Sequence, residues 1–265
     1  MPKFAANLSM LYNEHDFIDR FAAAAKDGFQ GVEYLFPYAF EKEVLAEALT
    51  ANGLTQVLHN MPAGDWDAGE RGLACLPDRV GEFQDGVGTA IDYAKALGCI
   101  QLHAMAGVRP DGADADKLDE TYIENLRFAA QKTEQAGIKL LIEAINTIDI
   151  PGFYLSTSAQ ALAVIDTVGS DNLYFQYDIY HMQIMEGDLA RTIEKNLAKI
   201  PHMQLADNPG RHEPGTGEIN YTFLFDAIDR MGYKGWIGCE YKPKAGTSEG
   251  LGWMRPYLSA SAAAE

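Results

Sequence analysis

The stretch Lys139-Leu-Leu-Ile-Glu-Ala-Ile-Asn146 is an apolar run that leads into a carboxylate. Its three aliphatic residues, 140–142, are typical of a strand that is buried on both faces, as in a parallel sheet. Glu143 would then lie at the carboxyl end of that strand. Burying an unpaired carboxylate costs on the order of several kcal/mol, so Glu143 requires a proton, a cation or another partner there.

Three later stretches repeat this design of an apolar strand that carries an oxygen-bearing side chain. They are Leu173-Tyr-Phe-Gln-Tyr-Asp178, His202-Met-Gln-Leu-Ala-Asp207 and Gly235-Trp-Ile-Gly-Cys-Glu240. The side chains concerned are Asp178, Gln204 and Glu240. This repetition indicates that they form one site together with Glu143, and that the rest of the chain is the scaffold of that site.

A second repeated pattern indicates the fold. Five times a helix-forming segment is followed by a glycine, an apolar residue and a strand-forming segment: Gly28-Phe29, Gly53-Leu54, Gly98-Cys99, Gly137-Ile138 and Gly232-Tyr233. A left-handed glycine of this kind ends a helix before the chain re-enters a sheet. Strands and helices alternate over 265 residues, which predicts an α/β fold, a (β/α)8 TIM barrel. We expect one barrel domain over residues 1–258 and a flexible tail over residues 259–265.

The composition limits the classes of partner. The chain has 21 Lys and Arg against 38 Asp and Glu, a formal net charge of −17. So acidic a surface would repel nucleic-acid phosphates and anionic lipids, and neither is expected as a partner. The three cysteines lack metal-ligand spacing, which is typical of reduced thiols in a cytoplasmic protein. No membrane-spanning apolar run or signal-peptide pattern occurs, so we expect a cytoplasmic location.

The four oxygen-bearing side chains predict a metal site. In a (β/α)8 barrel the carboxyl ends of the strands share one mouth, where active sites lie. Glu143, Asp178, Gln204 and Glu240 would come from strands five to eight. Three carboxylates and an amide oxygen form a hard ligand set that suits Mg²⁺ or Mn²⁺. The alternative is that each carboxylate forms its own ion pair with Lys or Arg at the barrel rim.

Three histidines lie close to predicted strand ends. His181 comes three residues after Asp178, just past the strand, where it would donate to a substrate oxygen. His59 and His103 lie at the equivalent ends of strands three and four. A lone histidine is more often a satisfied rim or core residue, and that alternative stays open for each of them.

Five motifs along the chain resemble those of the hydroxypyruvate isomerase family. They are Asn7-Leu-Ser-Met10, His59-Asn-Met-Pro-Ala-Gly-Asp-Trp-Asp-Ala-Gly-Glu-Arg-Gly72, Tyr177-Asp-Ile-Tyr-His-Met182, Ala206-Asp-Asn-Pro-Gly-Arg-His-Glu-Pro-Gly-Thr-Gly-Glu-Ile-Asn220 and Gly238-Cys-Glu-Tyr-Lys-Pro243. The similarity runs from the first strand to about Tyr257. This family belongs to the xylose-isomerase-like barrels, alongside sugar epimerases and endonuclease IV.

The resemblance implies interconversion of hydroxypyruvate and 2-hydroxy-3-oxopropanoate (tartronate semialdehyde), with Glu143 and Glu240 as the acid/base pair. It also suggests a Mg²⁺-type site at Glu143, Asp178, Gln204 and Glu240. The chemistry suits these residues, because moving a carbonyl to a neighbouring carbon requires proton transfer through an enediolate. No nicotinamide or phosphate-binding glycine motif appears, and neither nicotinamide nor flavin is expected. The partner would be a small oxo or hydroxy acid, and a homo-oligomer stays open.

An acidic mouth that receives an oxo acid needs a cation for the substrate carboxylate. Arg211 follows the Gln204 strand and Lys242 follows Glu240, so both can reach the rim. Arg211 is the better candidate, because its planar fork matches a carboxylate with two parallel hydrogen bonds. The alternative is that each pairs with a neighbouring acid such as Glu213 or Glu218.

The connection over residues 60–79 is long for a compact domain and contains three glycines and Trp66. Such loops are usually functional or mobile. We expect Trp66 to act as a lid that covers the mouth and excludes water from the enediolate. An ordered loop packed on the barrel rim is the alternative.

Other functions remain open. The same site suits isomerisation of a four-carbon 2-oxo-tetronate or 3-epimerisation of a ketose, although related 3-epimerases place His where this chain has Gln204. A non-catalytic protein that binds a sugar acid would not need a second carboxylate facing an anion. A nuclease like endonuclease IV is disfavoured by the charge of −17 and by the lack of a His-rich metal cluster.

Overall fold

The computed structural model describes residues 1–257. Its eight strands form a closed parallel barrel in chain order, which confirms the predicted (β/α)8 TIM barrel. The strands are β1 Lys3–Asn7, β2 Gly31–Tyr34, β3 Thr55–Asn60, β4 Gln101–His103, β5 Lys139–Glu143, β6 Leu173–Asp178, β7 His202–Leu205 and β8 Trp236–Cys239. The tail predicted over residues 259–265 lies outside the described residues.

Helices connect the strands of the barrel. Within residues 1–257 they are α1 Asp19–Lys26, α2 Lys42–Ala51, α3 Val80–Leu97, α4 Ala115–Gln135, α5 Ser158–Val168, α6 Ile179–Met185, α7 Leu189–Asn196, α8 Tyr221–Arg230 and α9 Thr247–Gly250. Short 3₁₀ helices span Pro77–Arg79, Leu197–Lys199 and Leu251–Met254. None of the helices in this range has the length and apolar composition that a membrane span needs.

The predicted helix ends and caps explain how the chain turns back into the sheet. All five glycines of the repeated pattern have positive φ, between 63° and 94°. Gly98 is one example, since it ends α3 and lets the Cys99 N–H donate to the Ala94 carbonyl at 2.9 Å. At the start of α5, the Thr157 hydroxyl accepts a hydrogen bond from the Gln160 N–H, which is the N-cap contact of a capping box.

The chain packs as two compact units. The first consists of Met1–Leu35, Val44–Val57 and the described part of Tyr177–Glu265. It contains β1, β2, β7 and β8, which pair in parallel in the order β2-β1-β8-β7. The register of the last pair sets Gln204 beside Gly238, a neighbourhood that matters for the site. Aromatic rings pack together in this unit, where the centroid of the Phe4 ring lies 5.1 Å from that of Phe225 and 5.0 Å from that of Trp253.

The second unit consists of Phe36–Glu43 and Leu58–Gln176, so that the boundaries between the units fall just after β2 and within α2, β3 and β6. Its strands pair in parallel in the order β3-β4-β5-β6, which sets Asn60 beside His103. The long connection after β3 is tied to this unit by buried hydrogen bonds, such as that from the Asn125 side chain to the Ala74 carbonyl at 2.9 Å. That one domain spans residues 1–258 stays a prediction.

Candidate active site

The four oxygen-bearing residues lie where the sequence placed them along their strands. Asp178 is the last residue of β6, Gln204 lies within β7, and Glu240 follows β8 directly. Glu143 is the last residue of β5. All four are buried, with exposed fractions between 1% and 6%. Buried polar groups at the carboxyl ends of barrel strands are typical of a functional site rather than of solvated surface acids.

Asp178, His181 and Glu240 come together in the first unit. Each offers one ligand atom, and these atoms lie within 4.8 Å of one another. Asp178 is also the N-cap of α6, and its Oδ1 accepts hydrogen bonds from the backbone N–H groups of Tyr180 and His181 at 2.7 and 3.4 Å. This cap fixes the carboxylate and leaves Oδ2 to the cluster.

Asp178 Oδ2 is buried and has no hydrogen-bond partner among residues 1–257. His181 Nε2 lies 3.5 Å from this oxygen. A buried carboxylate oxygen without a donor is unfavourable unless an ion or a substrate group meets it. The carboxylates of Asp178 and Glu240 and the imidazole of His181 form a donor set that could hold a divalent cation.

The electrostatics of the cluster follow from burial. Burial raises the pKa of Glu240 above its ordinary value, Arg211 opposes this shift, and Asp178 and Glu33 add to it. Burial likewise raises the pKa of Asp178, again against Arg211. For His181, burial and then Arg211 lower the pKa, which keeps the imidazole neutral at pH 7. A neutral imidazole has a lone pair for a cation.

Arg211 brings a positive charge to the carboxylate of Glu240. Its Nη2 donates to Glu240 Oε2 at 2.6 Å, and its guanidinium lies 5.0 Å from the centre of the Tyr180 ring. The Arg211 side chain is 20% exposed, against 8% for that of Glu240. One side of the guanidinium therefore serves the buried acid, while part of the side chain remains accessible from solvent.

The predicted alternative partners of Arg211 bind other groups. Glu213 accepts a hydrogen bond from the Lys244 backbone N–H at 2.9 Å. Glu218 accepts from two side-chain amides at 3.2 and 2.7 Å. No ion pair joins either acid to Arg211 within the described part of the chain, so the acid that Arg211 contacts is one of the site itself.

The loop that carries Arg211 is organised around Asp207. The Asp207 carboxylate accepts backbone hydrogen bonds from Gly215, Gly217 and Ile219 at 2.8, 2.9 and 3.1 Å. Arg211 itself has a left-handed backbone, with φ of 53°. A carboxylate that collects several N–H donors holds a loop in one conformation, so this acid fixes the position of the guanidinium.

A buried network around Glu33 was missed by the sequence reasoning. Glu33 is 1% exposed, and its Oε1 accepts from Gln204 Nε2 at 2.8 Å and from Asn7 Nδ2 at 3.0 Å. Its Oε2 lies 2.7 Å from Nε2 of the fully buried His202. The two amides also reach Glu240 Oε1, at 3.4 Å from Gln204 and 3.3 Å from Asn7.

Two signals in the sequence point to this network. Glu33 is an acid within the otherwise apolar stretch Val32-Glu-Tyr-Leu-Phe36, much as Glu143 is an acid at the end of an apolar run. Gly238 is the second signal, because a Cβ at this position would lie 2.2 Å from Glu33 Oε1. A glycine inside a strand often marks a close approach by another group, and here that group is the buried carboxylate.

In the second unit, the predicted His103 and Glu143 are brought together. His103 Nδ1 lies 3.7 Å from Glu143 Oε2 and 3.1 Å from Asn60 Oδ1. His59 is fully buried, with its ring 6.2 Å from that of Tyr38, and burial lowers its pKa to about 4. His59 is therefore neutral at physiological pH.

Lys242 and Trp66 lie in different settings. Lys242 is exposed, its ammonium forms no ion pair within residues 1–257, and only its backbone joins the loop, where its N–H donates to the Arg211 carbonyl at 2.8 Å. Trp66 is half-buried, with its ring 5.1 Å from that of Phe36 and 3.9 Å from the Arg71 guanidinium. The Arg71 side chain also donates to the Trp66 carbonyl at 2.9 Å.

Comparison with known proteins agrees with this architecture. The model of a family described as xylose isomerase-like TIM barrel matches residues 21–257. A 2-oxo-tetronate isomerase of Cupriavidus necator is 54% identical over 97% of this chain and 99% of its own length. A hydroxypyruvate isomerase of Escherichia coli is 54% identical over 97% of this chain and 100% of its own length.

Among solved structures, a crystal structure described as an AP endonuclease, family 2, from Brucella melitensis superposes with a TM-score of 0.95. It is 49% identical and covers 97% of this chain and 99% of its own. The match of fold, length and sequence extends along almost the whole chain. The chain therefore belongs to the xylose isomerase-like TIM barrel family.

Proposed function

We propose that this protein is an isomerase that interconverts hydroxypyruvate and 2-hydroxy-3-oxopropanoate. Isomerase is the activity class that its curated relatives share by name. The observation that supports the proposal best is the buried group of Asp178, His181 and Glu240 beside the cation of Arg211. This arrangement supplies acids, a base and a positive charge in one water-poor place, which proton transfer next to a carbonyl requires.

The proposed reaction moves one proton between carbons and one between oxygens. A carboxylate of the pair Glu143 and Glu240 removes a proton from C3 of hydroxypyruvate, and the electron pair becomes that of an enediolate. A proton is then delivered to C2, while the hydroxyl proton passes from the oxygen on C3 to the oxygen on C2. The raised pKa of Glu240 suits a base that works near neutral pH.

We propose Glu143, Asp178, Gln204 and Glu240 as the ligands of a divalent cation, Mg²⁺ or Mn²⁺. Asp178 Oδ2 is a ready ligand atom, because it is buried without a hydrogen-bond donor among residues 1–257. The bound cation would stabilise the negative charge that develops on the substrate oxygens. Glu143 and Glu240 would then use one carboxylate oxygen as ligand and the other for the proton.

For the substrate carboxylate we propose Arg211 as the main contact, with His181 as a donor to a substrate oxygen. His59, His103 and Lys242 remain proposed substrate-binding residues. The partial exposure of the Arg211 side chain supports its role, because a carboxylate that approaches from solvent meets this residue before it meets the more deeply buried acids. We thus propose a small oxo acid as the substrate and the cytoplasm as the location of the protein. Whether the protein forms a homo-oligomer stays open.

Isomerisation of a 2-oxo-tetronate is the second candidate, because the relative with that name is as similar as the hydroxypyruvate isomerase. The two reactions share the same carbonyl shift and differ by one hydroxylated carbon. A nuclease function fits the charge of −17 poorly, since such a chain repels phosphate backbones.

The function is tested by incubating the protein with hydroxypyruvate in D₂O and following the reaction by ¹H NMR, with and without chelator. We expect deuterium at the exchanging carbon and the appearance of 2-hydroxy-3-oxopropanoate. The same assay with 2-oxo-tetronate ranks the two substrates. Absence of exchange with hydroxypyruvate, together with rapid exchange with the four-carbon acid, would transfer the proposal to the second candidate.

Glu143→Gln and Glu240→Gln keep the shape of each side chain and remove its basicity. Because each carboxylate is proposed to transfer a proton, turnover should fall about 10²–10⁴-fold in either variant, measured by the same exchange assay. The control is Glu194→Gln on the exposed face of α7, which should keep the parental rate. A folded variant at either position with near-normal turnover would contradict the assignment.

Asp178→Asn tests the cation. Asn is as good an N-cap as Asp, so α6 should stay capped, while one charge and one ligand oxygen are lost. We expect the affinity for Mn²⁺, measured by calorimetry, to fall at least about 10-fold. The matched control is Asp188→Asn, which alters an exposed acid paired with Arg191. Equal Mn²⁺ affinity in all three proteins would argue against the site.

Arg211→Lys keeps the charge and loses the planar fork, whereas Arg211→Met loses both. Since the fork is proposed to hold the substrate carboxylate, KM for hydroxypyruvate should rise modestly for Lys and steeply, about 10²-fold or more, for Met. Steady-state kinetics of the three proteins provide the measurement. Parental KM in both variants would shift the role to Lys242.

Trp66→Ala tests whether the connection after β3 is a lid, as we propose. Trp66 meets the Phe36 ring edge-on and lies under the Arg71 guanidinium, so its loss removes both contacts from the connection. If the indole excludes water from the enediolate, kcat should drop about 10-fold or more while the melting temperature changes little. Unchanged kinetics would favour an ordered loop that only packs on the rim.

A further inference from the structure

We infer that Glu33, which lies against His202, is a positioning residue that fixes the side-chain amide of Gln204 and thereby decides which atom of Gln204 serves the reaction site. The inference rests on the proposed function in one respect, because Gln204 is there a ligand of the cation. The residues that carry it, Glu33, His202, Gln204 and Asn7, all belong to the first unit.

Contacts with two acids fix the orientation of the Gln204 side-chain amide. Its Nε2 lies 2.8 Å from Glu33 Oε1 and 3.4 Å from Glu240 Oε1. Glu33 Oε1 already accepts a hydrogen bond from Asn7 Nδ2, so an amide oxygen in the place of Gln204 Nε2 would face an acceptor without a proton between them. The NH₂ group must therefore point at the two acids. Gln204 Oε1 then lies on the opposite side of the amide, where it can serve as a ligand.

The side-chain amide of Asn7 also lies between Glu33 and Glu240. Asn7 Nδ2 lies 3.0 Å from Glu33 Oε1 and 3.3 Å from Glu240 Oε1, while its Oδ1 accepts from the Ser9 N–H at 3.1 Å. Two amides thus place donors between the same two carboxylate oxygens. They reduce the repulsion between Glu33 and Glu240 and leave Glu240 Oε2 to Arg211.

His202, the first residue of β7, contacts the other oxygen of the Glu33 carboxylate. It is fully buried, and its Nε2 lies 2.7 Å from Glu33 Oε2. The Glu33 carboxylate thus has one oxygen in close contact with the imidazole and the other hydrogen-bonded to two amides, which limits its orientation. Gly238 leaves room for it, since a Cβ there would lie 2.2 Å from Glu33 Oε1. The neighbouring strand is thus shaped to admit this carboxylate.

The substitution Glu33→Gln should reverse the orientation of the Gln204 amide. The new side chain has one oxygen and one NH₂ group. If its oxygen faces His202, its NH₂ faces Gln204 Nε2, and a donor then meets a donor. Gln204 has to turn its amide over, which places NH₂ where the ligand oxygen was. A cation is repelled by that group, so the variant should lose metal affinity although Glu33 is not itself a ligand.

The test is a double-mutant cycle of Mn²⁺ affinity, measured by calorimetry on the full chain for the parent, Glu33→Gln, Gln204→Ala and the double variant. We expect each single variant to bind Mn²⁺ about 10–100-fold more weakly, as for other residues that orient a metal ligand. If Glu33 acts through Gln204, adding Glu33→Gln to Gln204→Ala should change the affinity less than about 3-fold.

Full additivity in the cycle would overturn the inference, because Glu33 would then act through its charge alone. The control is Asn125→Ala, which removes an equally buried amide of the second unit. Its Mn²⁺ affinity should match the parent despite lower stability. If Asn125→Ala weakens Mn²⁺ binding as much as Glu33→Gln does, general destabilisation explains the effect and the positioning role is wrong.

A second measurement needs neither metal nor substrate. In ¹⁵N-labelled metal-free protein, the Gln204 side-chain NH₂ signals, assigned by their loss in Gln204→Ala, should exchange slowly with solvent because two carboxylates hold them. Glu33→Gln should abolish this protection, and retained protection would overturn the inference. A parent that fails to bind Mn²⁺ would refute the proposed cation site alone, since the NMR measurement still decides the role of Glu33.

Discussion

The structure depends on how three buried carboxylates are kept together. Glu33, Asp178 and Glu240 are each no more than 6% exposed in the first unit, and like charges in a medium of low polarity repel strongly. The chain counters this with Arg211 and with the side-chain amides of Asn7 and Gln204. Because these groups are fixed by strands and a braced loop, the acids keep their geometry before any ligand arrives.

The surrounding elements serve this arrangement in distinct ways. Asp178 uses one oxygen to cap α6, so that the helix holds the carboxylate and the carboxylate starts the helix. Asp207 gathers backbone N–H groups and sets the loop from which Arg211 returns to Glu240. Gly238 creates the space that Glu33 occupies. In each case a local feature of the chain orients a side chain of the site, and the strands of the barrel hold these residues in place.

Much of this could be predicted from particular residues. The five glycines with positive φ revealed the alternation of helices and strands, and an acid at the end of an apolar run located Glu143, Asp178 and Glu240. Glu33 escaped the same reasoning because its partners lie far away in sequence, and only the pairing of β1, β2, β7 and β8 brings them together. The contact between Arg211 and Glu240 was not predicted either, because Glu213 and Glu218 are closer to Arg211 in the sequence and were the alternative partners that the sequence suggested.

The left-handed backbone of Arg211 has a consequence for the evolution and engineering of the chain. A non-glycine residue with φ of 53° costs on the order of 1 kcal/mol, which Gly or Asn would largely avoid. A library selected for heat resistance alone would therefore drift towards small residues at this position and discard the guanidinium that faces Glu240. Stability and turnover pull in opposite directions at this one residue, so selection for both is needed to retain arginine there.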